Sequence, residues 1–235
     1  MLRIDEMEVL DDPELSDAEV ERAYRDMAAI HRWLGDVRFM VHAIRSDSRP
    51  VRRVLDVGCG TGLILQRVSR ALSVDAIGAD IRPHLAASAP VPIVEADACA
   101  DLLPSADVAF SMYLGHHLDP ESLVRLIRNV GRSCRRFILL DLVRHPLPLA
   151  LFKLFVAPLI CPIDAQDGWR SIRRSYTHKE LSDIAAVALS GSGATFRSSV
   201  APFYFRQIVD ITYEPLNRER MPGRKAITDE NQCLL

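Results

Sequence analysis

Apolar residues recur along the chain at two spacings, and the switch between them gives the first outline. Over residues 16–50 the spacing is helical. Ser16 and Glu19 form a capping box that predicts a helix starting at Ser16. It runs through Val20, Tyr24, Met27, Ala28 and Trp33, with Gly35 as a natural stop. A second helix carries Phe39, Met40, Ala43 and Ile44 and ends before Pro50. From Arg53 onward short apolar runs alternate with helical stretches. Strands are predicted at 54–57, 74–79, 93–94, 108–112 and 137–140, and helices at 63–72 and from Asp119 to Val130. Asp119 followed by Pro120 is a favoured helix start.

The rhythm breaks at residues 144–172. Pro146, Leu147 and Pro148 lead into an apolar stretch over 149–160, interrupted by Lys153 and Pro158. Thr177 and Glu180 form a second capping box, starting a helix through Leu181, Ile184, Ala185 and Ala188 that Gly191, Ser192 and Gly193 end. Two apolar runs, 194–200 and 203–209, read as a hairpin at a sheet edge. Alternating strands and helices imply an α/β domain with a mostly parallel sheet covered on both faces. Five strands plus the hairpin make seven. The expected division is an N-terminal helical lid at 1–50, a core at 51–143, an apolar helical insertion at 144–172, the rest of the core at 173–214 and a polar tail at 215–235.

Composition narrows the class without naming it. With 49% hydrophobic and 26% charged residues, the chain has apolar material for a core without disulfides. A net charge of -2 offers no basic field for nucleic acid, so no nucleic-acid partner is expected. Five cysteines, at 59, 99, 134, 161 and 233, are odd in number and form no CxxC pair. That pattern suits a reduced, cytoplasmic setting and no cysteine-based zinc site, and no metal is expected. The first residues are acidic, unlike a signal peptide. The apolar insertion is too short and too interrupted to span a membrane. A monomer or homodimer is expected.

The strongest chemical signal is Asp56-Val57-Gly58-Cys59-Gly60-Thr61-Gly62. Alternate glycines after a strand let the backbone turn sharply and approach a ligand, and the next helix offers free N–H groups. A dinucleotide loop needs glycine at the position Leu63 occupies, so the spacing fails for that ligand. An acid at Asp56 is awkward beside a pyrophosphate and suits a ligand bearing an ammonium group. An ordinary strand–helix turn is the plainer reading.

The run resembles motif I of the class I S-adenosylmethionine-dependent methyltransferases, well over residues 50–143 and loosely to about 210. The resemblance implies a Rossmann-like sheet and S-adenosyl-L-methionine as cofactor. It implies that Asp56, Gly58, Cys59, Gly60, Thr61 and Gly62 contact it, and that Asp80, with Ile81 beside it, holds the ribose hydroxyls. It further implies that Asp97 and Ala98 meet the adenine. Ser111, in the fourth-strand segment, is a further cofactor candidate. That segment lacks the Asn/Asp-Pro-Pro-aromatic motif of enzymes that methylate amide or base nitrogens. Its Ser-x-x-x-x-His-His pattern, with Arg173 to Leu181, is similar to the small-molecule branch around ubiquinone, menaquinone and polyketide pathways.

Methyl transfer to a phenol needs alignment and a base, and histidine is suited near neutral pH. His116 and His117, just past the fourth strand, are the candidates for base or substrate orienter; helix capping or a satisfied loop histidine is the competing role. Arg144, His145 and Tyr176 follow. The apolar insertion either packs on the sheet or roofs a pocket for an aromatic or hydrophobic small molecule. Phenol or quinol O-methylation is favoured, with C-methylation using the same base. The alternatives are a non-catalytic cofactor-binding module, a methyltransferase acting on RNA or protein, and a nicotinamide oxidoreductase.

Overall fold

The computed structural model describes residues 1–6, 8, 22, 25, 30–82, 89–160 and 162–213. The capping box at Ser16 and Glu19, the positions Val20, Tyr24, Met27 and Ala28, the cysteines 161 and 233 and the tail from 215 lie outside them. Residues 30–33 are helical, and Gly35 adopts a left-handed conformation where the stop was expected (φ 78°). Helix α1 follows at Asp36–Arg45.

Seven strands form one sheet: β1 Arg53–Val57, β2 Asp75–Asp80, β3 Ile93–Glu95, β4 Ala106–Met112, β5 Cys134–Asp141, β6 Thr195–Val200 and β7 Gln207–Thr212. Their order is β3-β2-β1-β4-β5-β7-β6. β1 to β5 are parallel, while β7 is antiparallel to both β5 and β6. The fold is thus the expected Rossmann-like α/β sheet with an antiparallel C-terminal hairpin.

Apolar side chains on the two faces form two cores. Helices α1 and α2 (Leu63–Leu72) cover one face, where Met40, Ile44, Leu65 and Val68 meet Val54, Val108, Phe110 and Ile138. The other face takes α3 (Pro120–Val130) and α6 (His178–Leu189), whose Leu123, Leu126, Ile127, Leu181 and Ala185 pack on Leu55, Ala109, Phe137 and Leu139. Burial on both faces explains why the central strands read as continuous apolar runs. Asp119 caps α3 through a bond from the Ser122 N–H, and the capping box of Thr177 and Glu180 starts α6.

One sequence reading needs correction. Residues 203–205 do not belong to the last strand. Pro202–Tyr204 is a 3₁₀ turn in which Phe203 and Tyr204 both take left-handed dihedrals (φ 60° each), and β7 begins only at Gln207. Apolar side chains alone could not distinguish that turn from a strand. The insertion is helical, as expected. It runs through α4 (Pro146–Leu151), a π-helical stretch (Phe152–Val156), a 3₁₀ turn (Ala157–Leu159) and α5 (Pro162–Arg174).

Candidate active site

β1 and β4 lie side by side although the chain leaves β1 toward β2. This is the switch point at which open parallel sheets form a crevice beyond the strand ends. The glycine loop sits there. Gly58, Gly60 and Gly62 all adopt left-handed backbone (φ 74°, 52° and 72°), which side chains rarely tolerate. The Gly58 N–H donates to the Ala79 carbonyl (2.8 Å), and the Gly60 N–H donates to Asp80 Oδ2 (2.8 Å). Asp80 Oδ1 also accepts the Arg82 N–H at 3.0 Å. A carboxylate oxygen takes two hydrogen bonds, so Asp80 can brace the loop and still meet a diol.

Gly78 is a residue the sequence reading passed over. A Cβ there would lie 2.4 Å from Cys59 Sγ, so β2 touches the loop only because it has glycine at that point. A glycine inside a strand was the available signal. Asp56 is buried at 3% exposure, and burial, reinforced by the neighbouring Asp80 charge, pushes its carboxyl well above the usual range. Burial likewise pushes the Cys59 thiol up, so it is no nucleophile near neutral pH.

A cavity of about 940 Å³ opens beside the loop. Asp56, Gly58, Cys59, Thr61, Asp80, Ile81, Asp97 and Ala98 all reach its wall; Gly60 and Gly62 lie in the backbone behind it. Asp97 Oδ1 accepts the Cys99 N–H at 2.8 Å, which shapes the turn at that end. Ser111 is different. Its side chain is fully buried, and its hydroxyl donates to the Val57 carbonyl (2.8 Å), tying β4 to the loop behind the cavity wall.

His116 and His117 occupy a 3₁₀ turn, Gly115–His117, directly after β4, and both line the cavity. Their rings stand 4.3 Å apart. His116 is 2% exposed, and its Nδ1 lies 2.7 Å from Oδ1 of Asp141, which ends β5. Glu8, unforeseen from the sequence, completes the group. Its Oε1 is 3.6 Å from His116 Nε2, and its Oε2 is 3.9 Å from His117 Nε2. The Ser171 hydroxyl donates to Glu8 Oε1 (2.7 Å), and Arg174 Nη1 lies 3.7 Å from it. Arg3 carries the N-terminal segment into place by donating to the carbonyls of Arg174 (2.6 Å), His116 (3.2 Å) and Leu118 (2.9 Å).

The remaining candidates act as braces. Tyr176 donates its hydroxyl to the Leu118 carbonyl (2.7 Å) under the Arg3 guanidinium and lines a smaller pocket; burial pushes it up to about 12. Arg144 is tied to the carbonyls of Ser175 and Met1 and to Glu180. His145 caps α4 through the Leu147 N–H and stacks on Tyr204 at 4.1 Å. None of the three is on the wall of the large cavity.

Tyr113 was also missed. Left-handed (φ 62°), it stacks on His31 at 4.4 Å and donates its hydroxyl to Asp36 Oδ2 (2.8 Å). Asp36 also meets His31 Nδ1 (3.1 Å) and Arg206, which joins the start of α1 to the rim of the cavity. Phe152, Phe155, Leu159 and Ile160 from the insertion and Phe203 and Phe205 from the rim turn add apolar wall, and Asp164, Asp167 and Ser171 of α5 add polar groups. The insertion thus roofs the cavity.

Residues 54–136 match a methyltransferase domain family. No curated protein sequence matches the chain. Solved structures share the fold. The plantazolicin methyltransferase BpumL in complex with SAH aligns over 85% of this chain and 92% of its own, at 13% identity and a TM-score of 0.65. The mitomycin 7-O-methyltransferase MmcR aligns over 85% and 59%, at 18% identity and 0.60. Human N-acetylserotonin methyltransferase in complex with SAM aligns over 82% and 56%, at 16% identity and 0.59. Residues 54–136, the part that matches the methyltransferase domain family, hold the glycine loop and both histidines, and the sheet is the Rossmann-like one of the class I S-adenosylmethionine-dependent methyltransferases. Among the described residues no helix is long and apolar enough to cross a membrane.

Proposed function

We propose that this methyltransferase acts on a small aromatic or hydrophobic acceptor, with a phenol or quinol oxygen as the favoured target. One observation carries the reading: the histidine–carboxylate cluster opens into the same cavity as the glycine loop, under an apolar roof. On this reading Asp80 holds the ribose hydroxyls, Asp97 and Ala98 border the adenine, and Asp56 faces the ammonium group of the cofactor. The His116 and His117 turn borders the same cavity, where the acceptor would meet the methyl group that the cofactor supplies.

The acceptor O–H loses its proton within the cluster, where Asp141 fixes the tautomer and direction of the His116 ring. The oxygen lone pair attacks the methyl carbon in line, the carbon–sulfur bond breaks toward sulfur, and S-adenosylhomocysteine leaves. The aromatic and aliphatic side chains of the insertion offer contact area to a flat ring. Transfer to carbon of an activated ring uses the same geometry. Two of the structural neighbours are a mitomycin O-methyltransferase and an N-acetylserotonin methyltransferase, both named for small-molecule acceptors.

The test is an acceptor screen with isotopically labelled cofactor, with products identified by mass spectrometry. Hydrophobic phenols should outrank polar amines. The opposite ranking, or wild-type turnover in both His116→Gln and His117→Gln, would refute the proposal.

A further inference from the structure

Glu8, His116 and His117 each aim one ligating atom at a common point, all three within 4.8 Å of one another. Neighbouring residues in a 3₁₀ turn ordinarily point their side chains apart by about a third of a turn. Here both rings face one carboxylate that arrives from residue 8, more than a hundred positions away in sequence. The surroundings match those of a metal ligand set. Metal-bound imidazoles usually give their other nitrogen to a carboxylate, and Asp141 supplies that at 2.7 Å from His116 Nδ1. Ligating carboxylates are themselves held from behind, as Ser171 and Arg174 hold Glu8 Oε1.

Charge points the same way. Asp141 is 1% exposed, its Oδ2 is buried, and that atom has no hydrogen-bond partner among the described residues. Oδ1 accepts the Leu142 N–H at 2.7 Å as well as meeting His116, whereas a buried carboxylate oxygen left unpaired is costly. Arg174 already faces Glu8. A dication on the far side of His116 would balance Asp141 through the ring.

We propose that Glu8, His116 and His117 form a divalent transition-metal site, of the two-imidazole, one-carboxylate kind that takes zinc or iron(II) rather than magnesium or calcium. The observed separations of 3.6 and 3.9 Å need only small side-chain rotations to close around an ion with bonds of about 2.1 Å. Three protein ligands leave positions open to the cavity, and an acceptor oxygen is the ligand that fits there. This last part rests on the methyl-acceptor reading of the cavity; the metal site itself does not. An acceptor hydroxyl bound at an open position gives up its proton to solvent more readily, so ionising the acceptor no longer requires a free imidazole.

The experiment uses the full chain, stripped with chelator and titrated with Co²⁺ while visible absorption is followed. One equivalent is expected to bind and give a ligand-field band. Glu8→Gln and His117→Gln should weaken binding by well over tenfold, and Asp141→Asn by about 10- to 100-fold. S-adenosylhomocysteine affinity, measured alongside, should hold in each and so reports the fold. Catechol added to the Co²⁺ protein should shift the band.

Absence of a band in the wild-type protein would overturn the site, as would equal Co²⁺ affinity in wild type, Glu8→Gln and His117→Gln. A band that catechol leaves unmoved would overturn the acceptor's place on the ion. Methyl transfer undiminished by chelator in a protein that binds no Co²⁺ would overturn the metal and leave the methyltransferase reading intact. Loss of both methyl transfer and S-adenosylhomocysteine binding in wild type would instead strike the cofactor assignment.

Discussion

The imidazole of His116 and the carboxylate of Asp141 meet at 2.7 Å, each at 2% exposure or less, where β4 and β5 end side by side. The contact depends on Gly115, because a Cβ there would stand 2.6 Å from Asp141 Oδ2. Replacing Asp141 with Asn presents the ring with a neutral, differently patterned neighbour while preserving volume. Turnover should fall about 10²-fold or more, the usual size of a lost acid–base arrangement. Cofactor affinity should be unchanged. Steady-state kinetics with calorimetric S-adenosylhomocysteine binding checks both halves.

Asp56 yields a paired prediction. Its folded pKa lies above the unfolded value, so its contribution to stability is full at low pH and is lost as pH rises through the folded value. Asp56→Asn should therefore make the cofactor-free protein more stable toward neutral pH, by about 1 kcal/mol or more, and flatten the decline of melting temperature with pH. If Asp56 meets the cofactor ammonium, the same change should weaken binding about 10- to 100-fold, the worth of one charged hydrogen bond. Thermal melts with and without S-adenosylhomocysteine separate the two effects.

Gly78 and Cys59 should couple. Gly78→Ala drives a methyl into the thiol and should cost about 1–3 kcal/mol while weakening cofactor binding. Adding Cys59→Ala makes room, so the double variant should recover most of both losses. Independent, additive losses in the double-mutant cycle would contradict the packing described.

His31 predicts acid sensitivity. Burial lowers its pKa to about 4. Between pH 6.5 and about 4 the unfolded imidazole takes a proton that the folded one refuses, so stability should fall as pH drops through that window, by up to about 3 kcal/mol. His31→Phe should flatten that slope in urea denaturation.

What could be read in advance follows the range of the forces involved. The strands, the glycine loop and the acids Asp56, Asp80 and Asp97 were legible because burial on both faces and strand-end position act over a few residues. Glu8 was not legible, since only folding brings residue 8 to residue 116. Helix α5 has Pro162 at its start and Arg173 and Arg174 at its end, but Gly168 in its middle obscured it. That glycine is needed because a Cβ would lie 2.3 Å from the Phe152 ring. Phe203 and Tyr204 misled for a similar reason. Their apolar rings promised a strand, and the left-handed backbone that sends Phe203 to the cavity rim and Tyr204 onto His145 left no mark in composition.

The π-helical roof at Phe152–Val156 holds a different kind of opportunity. Such a stretch carries more residues per turn than an ordinary helix, so removing one residue can relax it to α-helical pitch. The deletion would be absorbed within Phe152–Val156, so the side chains of that stretch would be re-aimed while the segments on either side keep their places. The strands that grip the cofactor would not shift. On the proposed reading, a single-codon loss would reshape the acceptor side of the cavity and leave the glycine loop as it is.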